Sequence, residues 1–299
     1  MTATMTNVSF PSGDGQCAGD LYLPAGEPAP VVIMAHGIGA ERSFRLQAYA
    51  ERFAEAGLAV LVFDYRNFGG SPGEPRCLVS PKRHVHDYLS AIDFMRQDKR
   101  VDGGRIGLWG TSFAGGHVLV AAARDGNISS VVAQVPFVSG IASALVYPWR
   151  YQLPATALAL SDMTRSALGG QPVTVPVVKR KGLALLAAPD CYDGYLAMVP
   201  QDSDWPGRVP ARILLTLPLY HPARYAPKVN APTLMIAARN DSLIPVSAVR
   251  RAARRLPEGT LHELDMGHFD PYDGERFEEV VTLETEFLVA RLQSKRERP

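Results

Sequence analysis

The 299-residue chain lacks the features that would tie it to an oxidising compartment, a metal, a membrane span or a nucleic acid. Only three cysteines occur, Cys17, Cys77 and Cys191. So odd and scattered a set forms no disulfide framework and no CxxC knuckle, and no metal is expected. Neither sign of charge is in excess. Lys plus Arg number 31 and Asp plus Glu 30, a net +1, which gives no broad electrostatic reason to bind nucleic acid or an anionic membrane. No apolar run approaches the roughly 18 residues of a membrane helix. The start, Met1–Asn7, has no basic residue followed by an apolar stretch and does not read as a signal peptide. No glycine loop of phosphate-binding type is present, and no cofactor is expected. Repeats and low-complexity tracts are also missing. The expectation is a soluble, cytoplasmic protein.

What is present is an ordinary globular composition, 46% apolar and 20% charged, enough for one large α/β domain. Residues 7–11 and 16–23 alternate around the turn Ser12-Gly13-Asp14-Gly15, which predicts an antiparallel hairpin at a sheet edge. Apolar runs at 31–35, 58–63, 106–109 and 130–134 read as strands buried on both faces. Between and after them, amphipathic helices are predicted near 43–56, 81–97 and 113–123, the first closed by Gly57. This alternation predicts a doubly wound, mostly parallel sheet. It stops after Val135-Pro136. From Phe137 to Asn230 prolines recur and short helical patches alternate with turns, and then strand, helix, strand and helix return at 233–238, 246–256, 259–264 and 275–293. The reading is a core of residues 1–136 and 231–299 with a cap or lid inserted at 137–230. A charged tail, Ser294–Pro299, is expected to fray.

The most informative segment is Leu108-Trp109-Gly110-Thr111-Ser112-Phe113-Ala114-Gly115-Gly116-His117, where a buried strand meets a helix. A serine on so sharp a turn needs small residues two places before and after it, and Gly110 and Ala114 supply them in a G-x-S-x-A pattern. The turn lifts the Ser112 hydroxyl above the sheet edge. It also sets the Phe113 amide at a helix N-terminus, where a developing anion is favoured. A hydroxyl nucleophile needs a base. His268 follows the last strand, and Asp241, after the strand before it, is placed to orient an imidazole. Asp265 and Asp270 are alternative acids, read as loop residues because they flank the histidine. All three of Ser112, Asp241 and His268 fall just past strand C-termini, where open α/β sheets place their sites. The glycine loop Ala35-His36-Gly37-Ile38-Gly39 offers a second backbone donor, the Ile38 amide, to complete an oxyanion hole with Phe113. His36 reads as holding that loop and His117 as packed. His84 and His86, two residues apart, do not share a helix face and read as solvated or capping.

These motifs resemble the α/β-hydrolase superfamily over essentially the whole chain. Phe63-Asp-Tyr-Arg-Asn-Phe-Gly-Gly-Ser71 is similar to the D-x-R-G-x-G-x-S stretch of its serine aminopeptidase-like and X-prolyl dipeptidyl-peptidase-like branch, with Asn67 where glycine is usual. Gly110–Val118 also resembles the polyketide transferase and thiohydrolase group. The resemblance implies an eight-stranded, mostly parallel sheet with helices on both faces and an inserted helical cap. It implies an acid and a base where Asp241 and His268 stand, and acyl chemistry.

The expected reaction is cleavage of a carboxylic ester or thioester through an acyl-enzyme on Ser112, with a small-molecule acyl substrate, free or carrier-protein-bound. Passing the acyl group to an alcohol or amine is the alternative on the same residues. A peptidase would want acidic residues to grip a free amine; Asp162, Asp190, Asp193, Asp202 and Asp204 exist, with no sign that they converge. C–C cleavage, a lyase step and ligand binding without turnover stay open. The 137–230 segment is rich in Leu, Ala, Val and aromatics, so a hydrophobic acyl pocket is expected, with Tyr147, Trp149 and Tyr65 as candidate substrate contacts. A basic helix face at Arg250, Arg251, Arg254 and Arg255 reads as solvated, with carrier docking as the other option. A homodimer is compatible with the sequence, which does not specify the oligomeric state.

Overall fold

A computed structural model describes residues 3–293; the charged tail at 294–299 lies outside the described residues. The strands are β1 (Thr4–Ser12), β2 (Gly15–Leu23), β3 (Ala29–Ala35), β4 (Ala59–Phe63), β5 (Val101–Thr111), β6 (Ser130–Gln134), β7 (Thr174–Pro176), β8 (Arg208–Pro210), β9 (Thr233–Ala238) and β10 (Gly259–Leu264). Eight of them form one sheet in the order β1-β2-β4-β3-β5-β6-β9-β10. The β1–β2 hairpin is antiparallel and β2 runs antiparallel to β4, while every other pair is parallel. Helices are α1 (Leu46–Glu55), α2 (Pro81–Gln97), α3 (Phe113–Asp125), α4 (Gly140–Val146), α5 (Gln152–Ala167), α6 (Cys191–Leu196), α7 (Ile213–Thr216), α8 (Val246–Ala253) and α9 (Gly274–Leu292).

The two-residue alternation of each strand sends side chains to two cores. Val31, Ile33 and Ala35 of β3 pack toward α2, α3 and α8, while Val32 and Met34 pack toward α1 and α9. Burial on both faces is why the parallel strands read as continuous apolar runs. Helix α1 begins three residues later than the sequence suggests, because Arg45 takes a left-handed backbone (φ 63°) and breaks the turn. The two short strands β7 and β8 pair with each other inside the 137–230 segment, a ribbon that its prolines hid from sequence reading. Among the described residues no helix is long and apolar enough to cross a membrane.

Candidate active site

Ser112 sits between β5 and α3 in a strained conformation, φ 54° and ψ −115°. The neighbours show what forces the small residues. A Cβ on Gly110 would come within 2.4 Å of the Ala114 carbonyl oxygen, and one on Gly37 within 3.3 Å of Ser112 Cβ. The turn is clamped on both sides, since Ser112 N–H donates to the Gln134 carbonyl (2.8 Å) and the Ser112 carbonyl accepts from Phe137 N–H (2.8 Å). Such strain persists only where surrounding bonds hold it.

The three residues singled out in sequence meet. His268 Nε2 lies 3.0 Å from Ser112 Oγ, and His268 Nδ1 lies 2.7 Å from Asp241 Oδ2. The His268 and Asp241 side chains are almost wholly buried. The other Asp241 oxygen accepts from the Leu243 and Ile244 amides, both at 2.8 Å, which fixes the carboxylate. The alternative acids do loop work. Asp265 accepts from Asn240 and Asp270 from the Gly267 amide. The Phe113 N–H, first in its helix, has no intrahelical acceptor, and the Ile38 N–H donates to no other described residue. Both residues line the cavity beside Ser112.

That cavity, about 490 Å³, opens beside Ser112 and contains no charged side chain. Its walls include Ile141, Leu145, Tyr147, Leu185, Leu186 and Leu214, and Tyr147 fixes its own hydroxyl on the Ala184 carbonyl (2.6 Å). A second recess of about 20 Å³ lies between Ser112, His268 and the Gly37–Ile38 loop.

Two candidate substrate contacts fall elsewhere. Tyr65 is fully buried, stacked on His84 with centroids 4.0 Å apart, and does not reach the cavity. Its ring packs behind the glycine loop, edge-on to His36 with centroids 4.6 Å apart. Trp149 is 82% exposed and outside the cavity wall. His84 is buried and not solvated, while its Nε2 accepts from the N–H of Ser80, the N-cap residue of α2 (3.5 Å), as the capping reading expects. It shares the inward face of α2 with Tyr88 and Ala91, at spacings of four and seven, which counting along the helix could have found. His117 is packed as expected, its Nδ1 2.7 Å from the Tyr220 hydroxyl. His36, His84 and His117 form a buried cluster around Tyr65. Burial lowers the pKa of all three, that of His117 to about 3, and holds them neutral. Arg66 is an internal brace on Asp87 (2.5 Å) and Asp14 (2.6 Å). Asp64 accepts from the Arg42 and Gly70 amides and pairs with the Arg42 guanidinium. Asn67 has φ 74°, a left-handed conformation that asparagine tolerates, which explains how it replaces glycine. The three cysteines are buried, and burial raises their thiol pKa values, to about 11 for Cys77 and about 12 for Cys191.

Sequence reading missed helix α6. At its start Asp190 accepts from Ser242 Oγ (2.7 Å), next to Asp241. A Cβ on its Gly194 would collide with the Phe269 ring, next to His268. Its Tyr195 hydroxyl donates to the Ile38 carbonyl (2.9 Å), and nearby Trp205 Nε1 donates to the Gly39 carbonyl (2.8 Å). The six-residue helix therefore touches the acid loop, the base loop and the glycine loop. The aspartates weighed for a peptidase do not converge: Asp162 is buried against Arg212, Asp193 pairs with Arg180, and no Asp lines the cavity. Arg250 pairs with Glu263 on the surface.

Sheet order, elbow and loop placement define an α/β hydrolase. Within that class, residues 26–267 match the family described as serine aminopeptidase, S33, and the chain belongs to it. It is 42% identical over 284 residues to quorum-quenching protein AidA of Acinetobacter baumannii (strain MDR-ZJ06), covering 94% of this chain and 93% of that one. It is 26% identical over 291 residues to polyketide transferase af380 of Aspergillus fumigatus, covering 94% and 97%. A solved structure of DcsB with a substrate analogue superimposes with a TM-score of 0.85 at 24% identity, covering 97% and 100%, a likeness of fold.

Proposed function

We propose that the chain is a serine hydrolase cleaving a carboxylic ester or thioester with a hydrophobic acyl group, and that residues 137–230 act as a cap on the core of 1–136 and 231–299. The observation that carries this is the Ser112–His268–Asp241 hydrogen-bond chain beside an uncharged cavity that Ser112 lines. Ser112 Oγ attacks the acyl carbon as His268 Nε2 takes its proton. Asp241 holds the imidazole and stabilises its charged form. The Phe113 and Ile38 amides receive the oxyanion, each such donor worth about 3–4 kcal/mol of barrier. His268 then protonates the leaving alcohol or thiol. Water, deprotonated by the same histidine, releases the acid and restores Ser112.

An acyl pocket without a charge fits an alkyl or aryl acyl chain and offers nothing to hold a peptide's free amine. The small recess beside His268 has room for one water, which favours hydrolysis. The polyketide transferase named among the relatives supports a second reading, transfer of the acyl group to an alcohol or amine. The quorum-quenching name of the Acinetobacter relative fits the first reading, since hydrolysis destroys the substrate. The test is a p-nitrophenyl ester series from acetate to dodecanoate, with a fluorophosphonate to label Ser112. Medium or long acyl chains should give the highest kcat/KM, and Ser112→Ala should lose both turnover and labelling. Unchanged activity in that variant refutes the assignment.

A further inference from the structure

The net charge of +1 conceals a local asymmetry around the cavity mouth. Eight of the eleven large apolar side chains exposed among the described residues lie between 141 and 168. Leu145, Trp149 and Leu153 are 80, 82 and 83% exposed. Helix α5 is inverted: Ala155, Ala159 and the paired Asp162 face inward, while Leu153, Leu160 and Met163 face out. An apolar face of this kind marks a surface that meets something other than water.

The charges along the same stretch are mostly positive. From 137 to 189 the chain has Arg150, Arg165, Lys179, Arg180 and Lys181, and its one carboxylate, Asp162, is buried against Arg212. Of these cations only Arg180 has a carboxylate partner among the described residues, Asp193. The basic segment adjoins the tryptophan. Tyr147 bonds the Ala184 carbonyl, and Arg150 lies 4.7 Å above the ring of Tyr151. Arg150, and to a smaller extent Lys179, lower the pKa of that Tyr151 phenol.

We infer that this face docks on an anionic lipid surface and takes an amphiphilic acyl substrate directly from it. Ile141 and Leu145 belong both to the exposed patch and to the cavity wall, so an acyl chain passes from bilayer to cavity along continuous apolar surface. Exposed tryptophan and leucine flanked by lysine and arginine suit the boundary between headgroups and acyl chains. A second copy seated here would oppose like charges and seal the mouth. The inference rests on the proposed hydrolase for the use of the lipid, not for the docking.

Trp149 is itself the probe, since Trp109 is fully buried and Trp205 is bonded within the fold. Emission of the full chain is titrated with phosphatidylcholine vesicles, with and without 30 mol% phosphatidylglycerol. The expected results are a blue shift, quenching by brominated lipid, and affinity at least tenfold higher for the anionic vesicles, weakening with salt. Leu153→Asp with Leu160→Asp should lose at least tenfold in vesicle affinity yet keep hydrolysis of a soluble short-chain ester. Lys179→Ala with Lys181→Ala, which leaves the apolar face alone, should lose the anionic preference. Ser112→Ala should still bind vesicles, so a failed hydrolase assignment and a failed docking surface give different results. No vesicle binding, equal binding by the aspartate variant, a concentration-dependent dimer that shields Trp149, or binding confined to an acidic carrier protein would each overturn the inference.

Discussion

Replacing Tyr195 by phenylalanine removes one hydroxyl and tests whether α6 holds the proposed oxyanion site. The ring is buried between Phe44, Trp205 and Phe269, and phenylalanine keeps that packing. What is lost is the 2.9 Å bond to the Ile38 carbonyl. A buried acceptor left without a donor costs about 1–3 kcal/mol, and the loop can escape part of that by turning its peptide. Trp205 still holds the Gly39 carbonyl at 2.8 Å, so the loop is loosened and not released. The loss should therefore fall short of the roughly 100- to 1000-fold caused by deleting an oxyanion donor. We expect kcat to fall about tenfold, or about 1.4 kcal/mol of transition-state stabilisation, with KM within about threefold of wild type. Active sites titrated with a fluorophosphonate normalise the rate, so misfolded protein does not count. Affinity for a trifluoromethyl ketone should fall in step with kcat/KM, while product-acid binding stays unchanged. Combination with Trp205→Phe should cost more than the two single losses together, because each bond backs up the other. A normalised kcat within twofold of wild type, or a fall confined to KM, would refute the positioning role.

Three other predictions concern stability. The neutral histidines make the fold acid-labile: with His117 held at about 3 against 6.5 when unfolded, the unfolded chain takes up the proton first as pH falls below 6.5. The cost from that residue alone is about 3 kcal/mol by pH 4.5; urea midpoints across pH 7 to 4.5 should drop steeply, and His117→Gln should flatten the curve. Glu284 titrates in the opposite sense, since burial raises its pKa to about 8 despite the Trp109 N–H bond, which lowers it. Stability is then lost from pH 4.5 up to 8, by about 4 kcal/mol at pH 8, and Glu284→Gln should abolish that slope in the same titration. Gly110→Ala, with its new Cβ driven against the Ala114 carbonyl, should lower the thermal midpoint by at least 5 °C, about 2 kcal/mol or more, and remove fluorophosphonate labelling.

What was legible in the sequence follows from what is local. The strands were visible because burial on two faces demands unbroken apolar runs, and the elbow because a serine at φ 54° demands Gly110 and a small residue at 114. Chain order past strand ends then singled out Asp241 and His268. The errors are contacts distant in sequence. Tyr195 and Trp205 have the composition of a pocket wall, and nothing near them in the chain reveals acceptors 157 and 166 residues away. Tyr65 looked like a substrate contact because its partner ring, His84, lies on another element.

The same contacts divide the 137–230 segment into a braced part and an arm. Helix α6 is tied into all three loops of the site, so rotating the whole segment away would dismantle the oxyanion loop and free the Ser242 tether beside Asp241. Helix α5 is held by Asp162, which accepts from the Val173 amide and from Arg212. The arm between Gly140 and Tyr147 has fewer ties. It is pinned at one end by the Gly140 amide on the Tyr220 carbonyl (2.8 Å) and at the other by Tyr147 on Ala184 (2.6 Å). Within it, Ile141, Leu145 and Val146 form the lip of the cavity and are mostly exposed. Few buried contacts and two end bonds make this the low-stability piece of the segment. In the proposed hydrolase, widening of the mouth for a longer acyl chain would therefore fall to these eight residues, with the groups around Ser112 staying in place.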